Sequence, residues 1–241
     1  MQHDTNALGQ PVGLPAQGWT PPPPPPRVAM QGRYCRLEPL EPDIHAEDLH
    51  AANRLDTEGR MWTYLSYGPF ETVEKYRDWI NGTCRGSEPL FFAIVAVDAG
   101  KPAGVASYSR RDLAAGVIEV GHFAYSPLLQ RSPAATEAMF LMMQNAFELG
   151  YRRYEWRCNS LNARSRAAAQ RLGFTYEGVF RQHNVHRGRN RDTAWLSVID
   201  SEWPALKEAF VKWLAPENFD PEGKQKTRLS DLTRAALRAS A

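Results

Sequence analysis

The stretch Val117 to Phe174 concentrates residue types suited to holding a phosphorylated ligand. A strand stopped by Pro127 leads through a short loop to a helix opening at Ser132-Pro133. Serine suits the cap of such a helix, and proline suits its first turn. A helix start presents unpaired N–H groups and the positive end of its dipole, which together fit a pyrophosphate. Gln130, Arg131, Ser132 and Thr136 add side-chain donors there, and Asn162 opens a second helix whose first turn carries Arg164 and Ser165. The charge distribution agrees. From Arg152 to Arg191 there are ten arginines, no lysine and two acids, Glu155 and Glu177, about +8, against +2 for the whole chain. A local basic zone implies an anionic partner, a phosphorylated cofactor or a nucleic acid.

Other chemistries are disfavoured. His183 and His186 stand three apart on an expected strand, so they face opposite sides and cannot clamp one ion; no metal site is expected. Cys35, Cys84 and Cys158 are scattered, odd in number and form no CxxC pair, which argues against a disulfide framework or zinc and favours the cytoplasm. Cys158 lies in an expected strand and reads as a small buried apolar residue. No apolar run approaches the ~20 residues that span a bilayer, and no signal peptide is evident.

Three segments organise the chain. Residues 1–30 hold eight of the eighteen prolines, with the run Pro21 to Pro26, and read as a disordered proline-rich tail. Residues 31–215 form the folded domain, and 216–241 a polar, partly helical tail. Strands are expected at Tyr34 to Leu37, Leu90 to Val97, Gly104 to Tyr108, Val117 to Tyr125, Tyr151 to Cys158, Val179 to Val185 and Thr193 to Ile199. Helices are expected at Pro42 to Asn53, after Thr72, and at Pro133 to Leu149, Asn162 to Leu172 and Glu202 to Leu214. The order β-α-α-β-β-β-α-β-α-β-β-α is an antiparallel meander passing into a β-α-β-α-β half. That is an α+β, mixed-sheet chain with helices on the sheet faces, not a doubly wound nucleotide fold.

Several motifs then occur in order: Ile118-Glu119-Val120-Gly121-His122, Gln130 to Glu137, Asn159-Ser160-Leu161-Asn162-Ala163-Arg164-Ser165 running on to Arg171-Leu172-Gly173-Phe174, and Glu177 to Arg181 followed by Gly188 to Asp192. With these, the chain from about Gly32 to Pro204 resembles the GNAT superfamily of N-acetyltransferases, and within it the RimJ/RimL-like branch. The resemblance implies an acyl-CoA N-acyltransferase fold, a central, mostly antiparallel sheet flanked by helices, with acetyl-CoA as donor. Backbone groups of Phe123 and Tyr125 would bind the pantetheine arm. The superfamily's phosphate loop, [Gln/Arg]-x-x-Gly-x-[Gly/Ala], would be Gln130-Arg131-Ser132-Pro133-Ala134-Ala135. Pro133 replaces the middle glycine and removes one backbone donor, for which the side chains of Arg131 and Thr136 are expected to compensate. Asn162 matches the asparagine that contacts the cofactor, with Arg164 and Ser165 beside it; by itself it reads as a helix cap.

The implied reaction is attack of a neutral amine on the thioester, which needs an oxyanion donor, a base and an acid for the departing thiolate. The tyrosine that many relatives use as acid falls at Ala169 and is excluded. Ser165, one turn earlier, is the candidate acid or hydrogen-bond donor; the alternative is a helix-surface serine. Glu119 is the candidate base or water-positioning residue, because it alternates with Gly121, Phe123 and Tyr125 and should share their side of the strand, with His122 facing away. The alternative is a solvated carboxylate. Asn184 stands where some relatives have a carboxylate, and beside it His183 is either a substitute base or structural. Trp62, Tyr64 and Tyr67 either line the acceptor pocket or pack. Arg187, Arg189 and Arg191 form a solvated hairpin tip, or hold an acidic substrate or the cofactor's 3′-phosphate.

The expected function is therefore transfer of acetyl from acetyl-CoA to a primary amine, a small molecule or a protein N-terminus, by a cytoplasmic monomer or homodimer. Two alternatives stand: a non-catalytic acyl-CoA-binding protein, and a nucleic-acid-binding module using residues 152–191. Against the second, no nucleic-acid motif appears.

Overall fold

The computed structural model describes residues 3–240. Two short strands, β1 (Asp4–Thr5) and β2 (Pro11–Val12), pair near the N-terminus. The chain continues through β3 (Met30–Gln31), β4 (Cys35–Pro39), α1 (Pro42–Asn53), a 3₁₀ turn Arg60–Trp62, α2 (Val73–Trp79) and a π turn Ile80–Cys84. Then come β5 (Leu90–Ala96), β6 (Lys101–Asp112), β7 (Val117–Tyr125), α3 (Pro133–Glu148), β8 (Arg153–Asn159), α4 (Ala163–Arg171), β9 (Thr175–His186), β10 (Arg189–Ile199), α5 (Trp203–Leu214) and α6 (Leu229–Ser240). The main sheet has the order β3-β4-β5-β6-β7-β8-β10-β9, and all its pairings are antiparallel except β7 with β8.

The apolar run of β5 shows how the sheet is covered. Leu90, Phe92 and Ile94 enter one core, with Met139, Met142, Met143, Phe210 and Leu214 from α3 and α5. Phe91 and Ala93 enter a second core, with Leu40, Leu49, Tyr76 and Ile80 from the α1–α2 side. A strand buried on both faces carries a continuous apolar run rather than an alternating one. The four-residue stripe Met139, Met142, Met143, Ala146 is buried on α3, and Gly150 (φ +95°) follows the helix in the left-handed conformation that a Cβ would oppose.

Glu137 ties α3 to the opposite edge of the sheet. Its buried carboxylate accepts from the N–H groups of Arg33 (2.9 Å), Tyr34 (2.6 Å) and Cys35 (2.8 Å), satisfying the turn that leads into β4.

A segment near each end of the chain packs on the domain. In the segment expected as a disordered tail, whose residues 1–2 lie outside the described residues, Pro22 and Pro25 are buried. Arg152 lies 5.6 Å over the Trp19 ring, and Arg27 pairs with Glu41 and bonds the Leu40 carbonyl. At the other end α6 packs on α5, with Leu229 fully buried and the Thr233 hydroxyl bonded to the Arg171 carbonyl. Among the described residues no helix is long and apolar enough to cross a membrane.

Candidate active site

The parallel pair β7–β8 is registered only from Val117–Arg153 to Val120–Trp156. Beyond it β7 runs on to Tyr125 and β8 to Asn159, so the two strands part and leave a wedge in the middle of the sheet. On β7 the backbone adjoining the wedge is irregular. Gly121 pairs with Ser107 and Ala124 with Val105, so β7 spends three residues where β6 spends two, and His122 takes the left-handed conformation (φ +55°). This bulge reverses the alternation. Ile118, Val120, Phe123 and Tyr125 all belong to the α3-side core, and Ala124 belongs to the other. Glu119 therefore lies on the face opposite Phe123 and Tyr125, which corrects the expectation from simple alternation. His122, expected to face away from Glu119, stacks with Tyr67 (5.8 Å) and lies 5.1 Å from the tilted Phe91 ring on the α1–α2 side.

The start of α3 stands beside the wedge. Ser132 Oγ accepts from the Ala135 N–H (3.1 Å) and donates to the Leu129 carbonyl (2.7 Å), while Arg131 adopts φ +63°. Pro133 carries no N–H and Ala135 is capped, so the N–H groups of Arg131 and Ala134 remain without a partner among the described residues. Gln130 is exposed, and its amide donates to the Tyr125 carbonyl (2.8 Å). The Thr136 hydroxyl is buried and accepts from Arg171 (3.1 Å), whose guanidinium lies 5.0 Å over Trp213. No carboxylate pairs with Arg171 among the described residues, and burial lowers its pKa. Arg131 and Arg164 are exposed.

At the closed end of the wedge, Ser165 Oγ accepts from the indole of Trp156 (2.9 Å), whose ring lies 4.3 Å from Phe123. The Ser165 N–H is held by the Asn162 carboxamide oxygen (3.1 Å), so Asn162 is the cap of α4. Burial raises the neighbouring Cys158 thiol, with hydrogen bonding to Ser165 opposing it. Ala169 is fully buried against the core.

On the other face Glu119 is buried, and only one of its oxygens is committed. Oε2 is paired with Arg157 and lies 3.7 Å from Arg110. Oε1 has no hydrogen-bond partner among the described residues; it lies over Gly121, where a Cβ would sit 3.2 Å away. Burial pushes the Glu119 pKa up, with Arg157 and Arg110 pulling against it. His122 is pushed down, chiefly by burial and then by Arg110. His183 Nδ1 is engaged by Thr193 (3.0 Å) and Asn184 (3.1 Å).

A roof spans this face. Tyr64 donates to the Leu161 carbonyl (3.3 Å) and Tyr67 to the His122 carbonyl (3.3 Å). The hairpin between β9 and β10 meets the same loop: His186 contacts the Leu65 carbonyl (3.3 Å), and Arg187 donates to Gly68 (2.9 Å). Trp62 lies beneath the loop, buried in the second core with Gly68 against its ring. Sequence reasoning missed three features here: the His122 bulge, the single committed oxygen of Glu119, and Arg187 as a tie to the loop. Only the last left a signal, in the arginine-rich hairpin. The ten arginines do not form one surface either, since Arg152 and Arg171 stack on Trp19 and Trp213 while Arg153 pairs with Glu155 and Glu177.

A wedge between parallel strands beside a capped helix start defines an acyltransferase class of site, and the comparisons agree. Residues 35–175 match the family model described as the acetyltransferase (GNAT) domain. A GCN5-related N-acetyltransferase from Brucella melitensis is 50% identical over 90% of this chain and 99% of its own, with a TM-score of 0.88. A GNAT-family chain from Chromobacterium violaceum is 40% identical over 81% and 98%, at 0.75. The microcin C7 self-immunity acetyltransferase MccE, solved with acetyl-CoA and AMP, shares the fold at 20% identity over 73% and 98%, at 0.63. No curated protein matches. The chain belongs to the GNAT acetyltransferase family and is an acyltransferase enzyme.

Proposed function

We propose that the chain transfers acetyl from acetyl-CoA to a primary amine by direct attack in a ternary complex, and that it sits in the RimJ/RimL-like branch. The observation that carries this is the wedge with Ser165 at one side of it and the unshared Oε1 of Glu119 on the opposite face. The donor set suits acetyl-CoA: the N–H groups of Arg131 and Ala134 and the exposed cations Arg131 and Arg164 fit its phosphates, and the unpaired stretch of β7 fits its pantetheine amides. Pro133 and the Ser132 cap leave few backbone donors, so Arg131 carries more of the anion binding than a glycine loop would require.

When bound, acetyl-CoA supplies a thioester activated toward nitrogen nucleophiles. Backbone groups of Phe123 and Tyr125 align the arm, and an N–H of this stretch meets the developing oxyanion. The Asn162 carboxamide oxygen is already used by the Ser165 N–H, so its NH2 group would be the part left to donate to the arm. Glu119 Oε1 takes the amine proton while Arg157 fixes the other oxygen. Ser165 receives the Trp156 N–H, and its own O–H, which reaches the Cys158 sulfur at rest, turns to the departing sulfur. Tyr64 and Tyr67 line the acceptor side, with His183 at its margin. The acceptor is a small-molecule amine or a protein N-terminus, and the enzyme works in the cytoplasm with its three cysteines reduced.

Calorimetric titration with acetyl-CoA tests the donor. A micromolar dissociation constant, about −8 kcal/mol, is expected; absence of both heat and thermal shift would remove the reading.

A further inference from the structure

The face that carries Glu119 holds more positive charge than the proton transfer uses. Arg157 of β8 and Arg110 of β6 both address Glu119 Oε2, and Arg157 also lies 4.3 Å over the ring of Trp195 on β10. Thr193 stands two residues before Trp195 on β10 and on its face, and Arg191 stands two residues further back, beyond a register irregularity in the pairing with β9. His183 reaches in from β9 to the Thr193 hydroxyl (3.0 Å), with its ring 6.2 Å from Trp195.

Arg191 is the unmatched member. It is half-buried, its Nε is shielded from solvent without a hydrogen-bond partner, and no carboxylate lies within 4.0 Å of it among the described residues. The Cys158 thiol and Glu119 are the acids whose fields reach it, alongside the like charges of Arg110 and Arg157. Burial and those like charges hold the Arg191 pKa below its ordinary value, and they press His183 down as well. A guanidinium left partly desolvated without a counter-ion is costly, and an anion supplied by a ligand relieves that cost.

Resting on the acetyltransferase reading above, we propose that the acceptor amine carries an anionic group, a carboxylate or a phosphate, bound by Arg191 with Arg110 beside it, so that the amine nitrogen meets Glu119 Oε1. Arg191 is then a specificity-determining residue of the acceptor site. Because Arg110 and Arg191 both act near Glu119, the anion and the amine sit close together in the acceptor, as in an amino acid or a short aminoalkyl phosphate.

The test uses matched pairs: an amino acid against its carboxamide, and an aminoalkyl phosphate against the parent amino alcohol, each followed by thiol release with the full chain. At least a tenfold higher kcat/KM is expected for an anionic member, and its source is read from which pair shows the gap. Arg191→Gln should collapse that gap through a rise in KM of about tenfold, and Arg191→Lys should restore part of it. Equal kcat/KM within both pairs would overturn the proposal. So would a weaker acetyl-CoA dissociation constant in Arg191→Gln, which would assign the residue to the donor. Calorimetric binding of the N-acetylated amino acids against their carboxamides reads the same preference without turnover. Tighter binding of the acids supports the anion site even where no amine is turned over, and equal binding sinks it. Failure of the anion site is thereby separated from failure of the acetyltransferase reading.

Discussion

The indole N–H of Trp156 donates to the hydroxyl of Ser165 across 2.9 Å, joining β8 to the first turn of α4 at the closed end of the wedge. The bond fills one acceptor position of the oxygen, and the Ser165 proton, directed at the Cys158 sulfur at rest, is the one offered to a departing thiolate. Ser165→Ala should lower kcat by about 10²-fold, the low end of acid catalysis, with the acetyl-CoA dissociation constant within twofold of the parent. Trp156→Phe, which keeps the ring against Phe123, should produce a smaller loss. Unchanged turnover in Ser165→Ala would remove Ser165 from the reaction.

Glu119 should govern the acid limb of the pH profile. Burial raises its pKa, so kcat/KM falls as the pH drops through that raised value and the carboxylate takes up its proton. Glu119→Gln should abolish this limb and most of the activity. The sign for stability follows from the same shift. The folded protein holds this proton more tightly than the unfolded chain, so the group's contribution to stability declines as pH rises from the ordinary carboxylate range to the raised value. Removing the charge also leaves Arg157 buried without its partner, at a cost of about 3 kcal/mol in urea unfolding. An acid limb that survives in Glu119→Gln would transfer the base to another group, His122 first.

Glu137 should matter for stability and not for chemistry. Its carboxylate satisfies three backbone N–H groups at the entry to β4, that of Cys35 buried. Glu137→Ala should cost about 3 kcal/mol, equivalent to roughly 6–12 °C in Tm for a chain of this size. The kcat of the folded fraction should stay at the parent value. A Tm shift under 2 °C would mean that water replaces the carboxylate.

Deleting residues 1–26 removes Trp19 from Arg152 and uncovers the surface under Pro22 and Pro25. A loss of about 2 kcal/mol, or roughly 4–8 °C in Tm, is expected, as for burying two medium apolar side chains. An unchanged Tm would mean that the segment detaches in solution.

These contrasts mark where the sequence was legible. The limits Pro42 and Asn53 of α1 and Val117 and Tyr125 of β7 were readable because proline, glycine and apolar periodicity act locally. The capping roles of Ser132 and Asn162 were readable for the same reason. The bulge at His122 was not: a histidine at positive φ is no local signal, and one extra residue moves Glu119 to the face opposite Phe123. Glu137 looked like one more helix carboxylate because its three partners lie about a hundred residues earlier. The burial of Pro22 and Pro25 was hidden by composition, since a polyproline run reads as a linker whether or not the domain offers it a surface. Arg191 was visible as charge, but its lack of a partner is a property of the assembled sheet.

The central claim is amine-dependent acetyl transfer, and its most direct measurement follows thiol release from acetyl-CoA across an amine panel, with mass analysis of each amine. The account predicts thiol and N-acetylated amine in equal amounts, at a rate that depends on both substrates and falls about 10²-fold in Ser165→Ala. Micromolar acetyl-CoA binding with no amine raising thiol release above background hydrolysis would contradict it, and would make the chain an acyl-CoA-binding protein without transferase activity.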